Sequence, residues 1–235
     1  MHIITLMKIT MSTEKLPGIL SLLQAFDSLF PVGAFTMSNG METYTQKNIV
    51  SDRKSLYDYL VSYLYSMKKN DLGFAAKAAQ GQDIPELDEI CTASKIPCEL
   101  REGSRKMCTR FIKTQLHIGS GPRLERYADM IEKNRCTGHY CIAAGLYIAD
   151  SGADINTGLQ VFCYSQLSSL VNHAVKLVPL RQNDGQAALS DILAQIPDAV
   201  SYSLSLEVNR LGISGFGFDL RSMQHEKLYS RIYIS

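Results

Sequence analysis

The sequence has no excess of either charge: 24 lysine and arginine residues face 23 aspartate and glutamate residues, and the formal net charge is +1. Proteins that bind nucleic acid or an anionic membrane surface usually carry a basic surplus or a basic patch. The composition therefore supports neither class of partner. A near-neutral protein also has little electrostatic self-repulsion, which favours association with other proteins.

No Cys-x-x-Cys pair occurs among the six cysteines, which stand at positions 91, 98, 108, 136, 141 and 163. A chain of 235 residues is long enough to bury a sizeable core, so it does not need disulfide staples. We expect reduced, mostly buried thiols in a cytoplasmic protein. The start, MHIITLMKITMSTEKLPG, lacks the basic leader, long apolar run and cleavage site of a secretion signal. Met11 could be the natural start, in which case residues 1–10 are dispensable.

The motifs of common active sites are missing as well. The chain has no Gly-x-x-x-x-Gly-Lys-Ser/Thr phosphate loop, no Gly-x-Ser-x-Gly nucleophile elbow and no His-Glu-x-x-His zinc motif. The pair His225-Glu226 is half of such a zinc motif without its second histidine. The nearest approach to a metal cluster is Cys136, His139 and Cys141, of which a helix would bring only the first two together. We predict no enzymatic activity, no cofactor and no metal site, and a Cys/His metal-binding chaperone stays open as an alternative.

Helical periodicity dominates the chain. Apolar residues recur at the spacing of one helix face, as at Leu56, Leu60 and Leu64, behind a cap at Ser51 or Asp52. Prolines and glycines separate further helical runs near 38–46, 70–80, 86–95, 98–118, 123–134 and 138–150.

Evidence for strands is thin. The stretch AVSYSLSLEV at 199–208 alternates, but it follows a proline and equally suits the start of a helix. Neither a repeat nor a low-complexity linker divides the chain. The pattern predicts an all-α, single-domain bundle of about nine or ten helices over 16–210. A flexible leader over 1–15 and a loop with a flexible C-terminal tail over 211–235 flank it.

The stretch from Ile155 to Leu180 holds one formal charge, Lys176. Its amides and serines, with Asn172 and His173, make it too polar to lie comfortably in lipid. As a helix it has an apolar face and a second face that is polar but almost uncharged. Solvated helix faces normally carry charges, whereas interface cores are depleted of them. This helix is therefore either central to the core or part of a subunit interface.

The chain ends MQHEKLYSRIYIS, with two tyrosines, a leucine and two isoleucines among its last residues. Terminal residues usually fray and are polar unless something holds them. The tail therefore either packs onto its own domain or docks on another chain.

Four stretches together resemble one family, the UreF-type urease accessory proteins. They are SLFPVGAFTMSNGME at 28–42, GHYCIAAGLYIADSG at 138–152, LVNHAVKLVPLRQNDGQAAL at 170–189 and SMQHEKLYSRIYIS at the end. They fall in the family's order and cover the chain from about residue 16. Departures are Arg181 in place of a usual glycine, Met37 in place of a frequent tyrosine, and Ile232 to Ile234 in place of Leu-Phe-Arg.

The resemblance implies an all-α dimeric scaffold without chemistry of its own. In the family, UreF joins UreH (also called UreD) and the GTPase UreG to deliver nickel to apo-urease. The tail is the part implied to order on UreH, and the central dimer surface is implied to receive UreG. The tail residues expected to contact a partner are Met223, His225, Glu226, Tyr229, Ser230, Arg231 and Tyr233.

Tyr229 and Arg231 are the expected anchors of that contact, since tyrosine and arginine often dominate interfaces. Candidates for the contact with UreG are Lys176, Gln182 and Gln186. The N-terminal signature consists of Pro31, Gly33, Ser38, Gly40 and Glu42, of which the proline and the glycines are expected to shape the backbone. An alternative function is a GTPase regulator that donates Arg181 or Arg231 to UreG.

Overall fold

The computed structural model describes residues 18–213 and 215–234, so the predicted leader over 1–15 lies outside the described residues. The described residues form α-helices and turns without a β-strand, which confirms the all-α prediction. They hold twelve α-helices rather than nine or ten. The helices are α1 (Gly18–Ala25), α2 (Met41–Gln46), α3 (Arg53–Met67), α4 (Asp71–Ala79), α5 (Ile84–Ser94), α6 (Cys98–Ile118), α7 (Pro122–Glu132), α8 (Tyr140–Asp150), α9 (Ile155–Leu177), α10 (Gln182–Leu193), α11 (Ile196–Ser205) and α12 (Phe216–His225).

Helix starts follow local chemistry. Asp52 caps α3 and forms a reciprocal pair of hydrogen bonds with Ser55, as its position before the periodic run predicts. Asp83 and Asp154 cap α5 and α9 in the same way, by accepting a backbone N–H of the first turn. Pro122 is the first residue of α7, a position where a backbone N–H would have no acceptor within the helix. These residues explain why the predicted boundaries of the longer helices lie close to the observed ones.

The ambiguous stretch at 199–208 is helical as far as Ser205, since α11 begins at Ile196 and has Pro197 in its first turn. A short 3-10 turn, Val208–Arg210, follows it. The helical alternative for this stretch is therefore confirmed.

The centre of the fold is built on α4, α8 and α9. Small residues let α4 and α8 approach closely: a Cβ at Gly145 would collide with the backbone of Ala75. The low-charge helix α9 packs against α1, α2, α3, α4, α8, α10 and α11. Its side chains Leu159, Phe162 and Leu170 are fully buried. One face of α9 thus belongs to the core of the chain.

Helices long and apolar enough to cross a bilayer do not occur in the part of the chain that the structure describes.

Candidate docking surfaces

The C-terminal tail folds back over α2 after α12 ends. Two turn hydrogen bonds, from the N–H groups of Lys227 and Leu228, close the end of α12. The chain then passes Gln46, whose Nε2 donates to the Ser230 carbonyl at 3.0 Å. Near its end the Ile234 N–H donates to the Thr36 carbonyl at 2.8 Å. The tail that we expected to be flexible is therefore attached at several points to its own domain.

Glu42 is the main attachment point. Its side chain belongs to α2 and the residue is 1% exposed. One carboxylate oxygen accepts the N–H of Ile232 at 2.8 Å, and the other accepts the N–H of Tyr233 at 3.0 Å. Hydrogen bonds to a charged, buried acceptor are stronger than neutral ones. A single side chain from the N-terminal signature thus holds two consecutive backbone amides of the tail.

A second carboxylate extends this network. The fully buried His225 ring places Nε2 3.1 Å from a Glu42 oxygen and Nδ1 2.7 Å from a Glu99 oxygen. The other Glu99 oxygen accepts from Arg231 Nη1 at 2.6 Å. Each ring nitrogen of His225 thus has a carboxylate oxygen as its hydrogen-bond partner. We call Glu42, Glu99, His225 and Arg231 the tail clamp.

Tyr233 follows the tail clamp in the chain and packs its ring against α9. It is 7% exposed, and its ring makes an edge contact with His173 at a centroid distance of 4.7 Å. Burial, followed by the negative charge of Glu42, raises the pKa of the Tyr233 phenol. Burial and the nearby Lys176 charge lower the pKa of His173 to about 4. Both rings are therefore held in their neutral forms at neutral pH.

Other side chains of the tail point to solvent. Tyr229 is fully exposed, and Ile232 is 76% exposed. Apolar residues of this size rarely stand free in water without a partner surface when several occur together. We call the exposed apolar side chains of α12 and the tail the tail surface; it consists of Phe216, Leu220, Met223, Tyr229, Ile232 and Ile234.

The predicted partner residues of the tail therefore divide into two groups. Met223, Glu226, Tyr229 and Ser230 are exposed, and Arg231 is partly exposed in its ion pair with Glu99. His225 and Tyr233 are buried by contacts within the chain, so a direct contact between either residue and a partner requires the tail to move. The other predicted contact residues, Lys176, Gln182 and Gln186, are exposed around the break between α9 and α10.

The glycines of the N-terminal signature have positive φ angles, 82° at Gly33 and 80° at Gly40. This conformation is unfavourable for residues with a Cβ atom. Gly40 also lies against α12, where an added Cβ would stand 2.8 Å from Ser222 Oγ. Ser38 is fully buried next to it, whereas Pro31 is exposed. Gly40 thus lets α2 begin close to α12, where Glu42 reaches the tail.

A second exposed apolar area lies on α1, the following loop and α9. Leu29 is 90% exposed, and Leu20, Leu23, Phe35 and Tyr164 are exposed as well. A groove of about 590 Å³ between these elements is lined on the α9 side mainly by uncharged residues, including Ser165, Ser169 and Asn172, with Lys176 as the one formal charge of α9 there. We call this area the α1–α9 surface. The low-charge helix therefore has one face in the core and another beside an exposed apolar surface.

Cys136, His139 and Cys141 do not converge on one point. The ring nitrogens of His139 lie 2.8 Å from Thr92 Oγ1 and 3.2 Å from Ser104 Oγ. Among residues 18–213 and 215–234, no group of three or more His, Cys, Asp or Glu side chains has the geometry of a metal site. The geometry thus offers nothing in favour of the Cys/His metal-binding chaperone.

Sequence reasoning missed Glu99 and His173 as parts of the tail site. Glu99 lies in the first turn of α6, where an acidic residue suits any helix start. The helical pattern places His173 only on the polar, almost uncharged face of the stretch from Ile155 to Leu180. Neither residue belongs to a motif with the tail, and only the folded chain brings them to it.

Comparison with known proteins agrees with the motifs. Residues 50–193 match the UreF family model. The urease accessory protein UreF of Actinobacillus pleuropneumoniae serotype 5b is 36% identical over 222 residues, which cover 92% of this chain and 98% of that protein. The protein of the same name from Haemophilus influenzae strain PittEE is 31% identical, with 92% and 94% covered. The one from Sporosarcina pasteurii is 31% identical over 202 residues, with 83% and 100% covered.

Proposed function

The chain belongs to the UreF family of urease accessory proteins, and from this premise we propose that it is a non-enzymatic co-chaperone for nickel insertion. In this proposal it holds UreH/UreD and the GTPase UreG in one cytoplasmic complex that delivers nickel to apo-urease. The proposal rests on one observation: the apolar side chains of the tail surface are exposed, while the tail backbone is attached to the chain's own domain.

We place the UreH/UreD contact on the tail surface, with Tyr229 as its main anchor. A tyrosine covers a large amphipathic area with few rotatable bonds, which makes it a frequent hot spot. Ordering a free tail costs roughly 1–2 kcal/mol per residue in backbone entropy. Because the tail clamp already holds Ile232 and Tyr233, less of that entropy is lost when a partner binds.

We assign the α1–α9 surface to a homodimer. Its exposed side chains are apolar, and the α9 residues beside them are almost uncharged, which is the composition of an interface core rather than of a solvated face. The chain's near-neutral charge, +1, does not oppose self-association. The exposed group Lys176, Gln182 and Gln186 lies next to this surface and is the proposed contact with UreG.

The test is capture of purified UreH/UreD by the full chain and by a chain truncated after Leu228. This truncation keeps α12 and His225 and removes only the end of the tail. Circular dichroism and thermal unfolding of the shortened chain serve as the control that it is folded. We expect capture to be lost. If the folded, truncated chain captures UreH/UreD as well as the full chain does, the tail is not the docking segment.

A further inference from the structure

Helix α6 carries a row of basic side chains. Between positions 103 and 118 the sequence holds four basic residues and no acidic one. They are Arg105, Lys106, Arg110 and Lys113, and we call them the basic stripe. The whole chain has a net charge of +1, so the residues outside this stretch together carry a charge of −3. At about 100° per residue, Lys106, Arg110 and Lys113 lie within about 60° of one another around the helix axis.

The basic stripe is exposed on a helix that is firmly packed on its other side. All four of its residues are exposed to solvent. The opposite face of α6 is buried through Met107, Phe111 and Ile112, and the helix packs against α7, α8 and α12. The Arg110 side chain is also attached, since its Nη1 donates to the Val32 carbonyl at 3.3 Å. A partner that binds here therefore has to order side chains but not the backbone.

The chain supplies little negative charge to the basic stripe. The two acidic residues of α6, Glu99 and Glu102, both lie near its start. Glu99 belongs to the tail clamp, and Glu102 pairs with Arg105 at 3.0 Å. The other three cations of the stripe form no ion pair with any carboxylate in the part of the chain that the structure describes. Like charges four residues apart destabilise a helix, so a partner that brings negative charge relieves a repulsion that the chain itself leaves in place.

We propose that the basic stripe is a docking surface for an acidic segment of a protein partner. The positions of Lys106 and Lys113 are about 10 Å apart along the axis, at 1.5 Å per residue. Two turns of a helix with Asp or Glu at positions i, i+4 and i+7 bring a carboxylate opposite each of the three aligned cations. Leu116 borders the stripe and is 47% exposed, which gives such a segment an apolar contact. Charge pairs of this kind speed association and fix the register of the two chains.

The charge distribution favours a protein segment over nucleic acid or an anionic membrane. The affinity of nucleic-acid binders grows with the number of phosphates that they neutralise, and four cations neutralise few. The charge of −3 on the rest of the chain repels an extended polyanion, whereas a short acidic segment contacts the stripe alone. The basic stripe shares no residue with the tail surface, the α1–α9 surface or the proposed contact with UreG. The inference is therefore independent of the proposed function.

The experiment measures the binding of fluorescein-labelled octaglutamate to the full chain by fluorescence anisotropy at low salt. The variant Lys106→Glu/Lys113→Glu reverses two aligned charges, and its dissociation constant should rise about tenfold or more. Lys47→Glu/Lys54→Glu is the matched control, because it changes the net charge equally at exposed positions outside α6 and should bind as the wild type does. Thermal unfolding shows that each variant is folded. Added salt should weaken the binding to the wild type, since the charges are exposed.

Three results would overturn the proposal. The first is equal binding of octaglutamate by the stripe variant and the control variant. The second is tighter binding of the wild type to a DNA duplex of the same net charge, or to phosphatidylserine vesicles, than to octaglutamate. The third is loss of octaglutamate binding in the chain truncated after Leu228, which keeps the whole stripe. We expect that truncated chain to bind octaglutamate as the full chain does, so this result is separate from the test of the tail.

Discussion

Replacing Glu42 with glutamine should release the end of the tail. The Glu42 side chain is 2% exposed and accepts hydrogen bonds from the backbone N–H groups of Ile232 and Tyr233. One of its oxygens also lies 3.1 Å from His225 Nε2. The substitution puts an NH₂ group where one carboxylate oxygen accepted, so at least one buried donor loses its partner. That loss costs about 1–3 kcal/mol, and losing the buried charge opposite His225 adds to it. In total, Glu42→Gln should destabilise the docked position of the tail by about 3 kcal/mol.

Amide hydrogen exchange measures this local opening directly. Since every 1.4 kcal/mol is a factor of ten, the Ile232 and Tyr233 amides should exchange on the order of a hundredfold faster in Glu42→Gln. Gln46→Ala is the matched control, because it removes an exposed hydrogen bond to the same tail and should change exchange by about twofold or less. Equal exchange at Ile232 and Tyr233 in the wild type and in Glu42→Gln would refute the clamp.

Two further predictions concern stability. Gly40→Ala should destabilise the fold by about 1–2 kcal/mol through backbone strain, and further through the contact of the new Cβ atom with Ser222. Gly81→Ala is the control, because Gly81 has a φ of 83° but no neighbour within 4 Å. The melting temperature of Gly40→Ala should therefore lie below that of Gly81→Ala, and equal melting temperatures would contradict the contact. Burial lowers the folded-state pKa of His173 from 6.5 to about 4. Between these pH values the unfolded chain therefore binds more protons than the folded chain. The free energy of unfolding should fall by up to about 3 kcal/mol as the pH drops from 6.5 to 4. Urea unfolding should show a smaller fall for His173→Gln, and an unchanged pH dependence would mean that His173 is not responsible.

Much of the fold could be predicted because its signals are local. The capping residue Asp52, the prolines that open helices and the apolar spacing of α3 all act within a few residues. The predicted helix count is too low because the sequence leaves the stretch that forms α11 open between strand and helix, and because α12 lies in the region predicted as a loop and tail. The longest helices, α6 and α9, have 21 and 23 residues, and periodicity identifies such long elements best.

The conformation of the tail could not be predicted from the same signals. Glu42 and His225 are 183 residues apart, and Glu99 and Arg231 are 132 apart, so only the tertiary fold brings them together. The sequence left self-packing and docking as alternatives for the tail. In the structure the backbone of the tail packs on its own domain. Tyr229 and Ile232 nevertheless face solvent, so a partner chain can still bind to them.

The central claim, that the exposed side of the tail binds UreH/UreD, is tested most directly by the affinity of the Tyr229→Ala variant. Tyr229 is fully exposed and its removal leaves the tail clamp intact. Truncating a tyrosine hot spot costs about 2 kcal/mol or more, so the dissociation constant measured by calorimetry should rise about thirtyfold. Tyr65→Ala, which removes another exposed tyrosine from α3, should leave the constant unchanged. If Tyr229→Ala binds UreH/UreD as tightly as the wild type and Tyr65→Ala do, the assignment of the tail surface is contradicted.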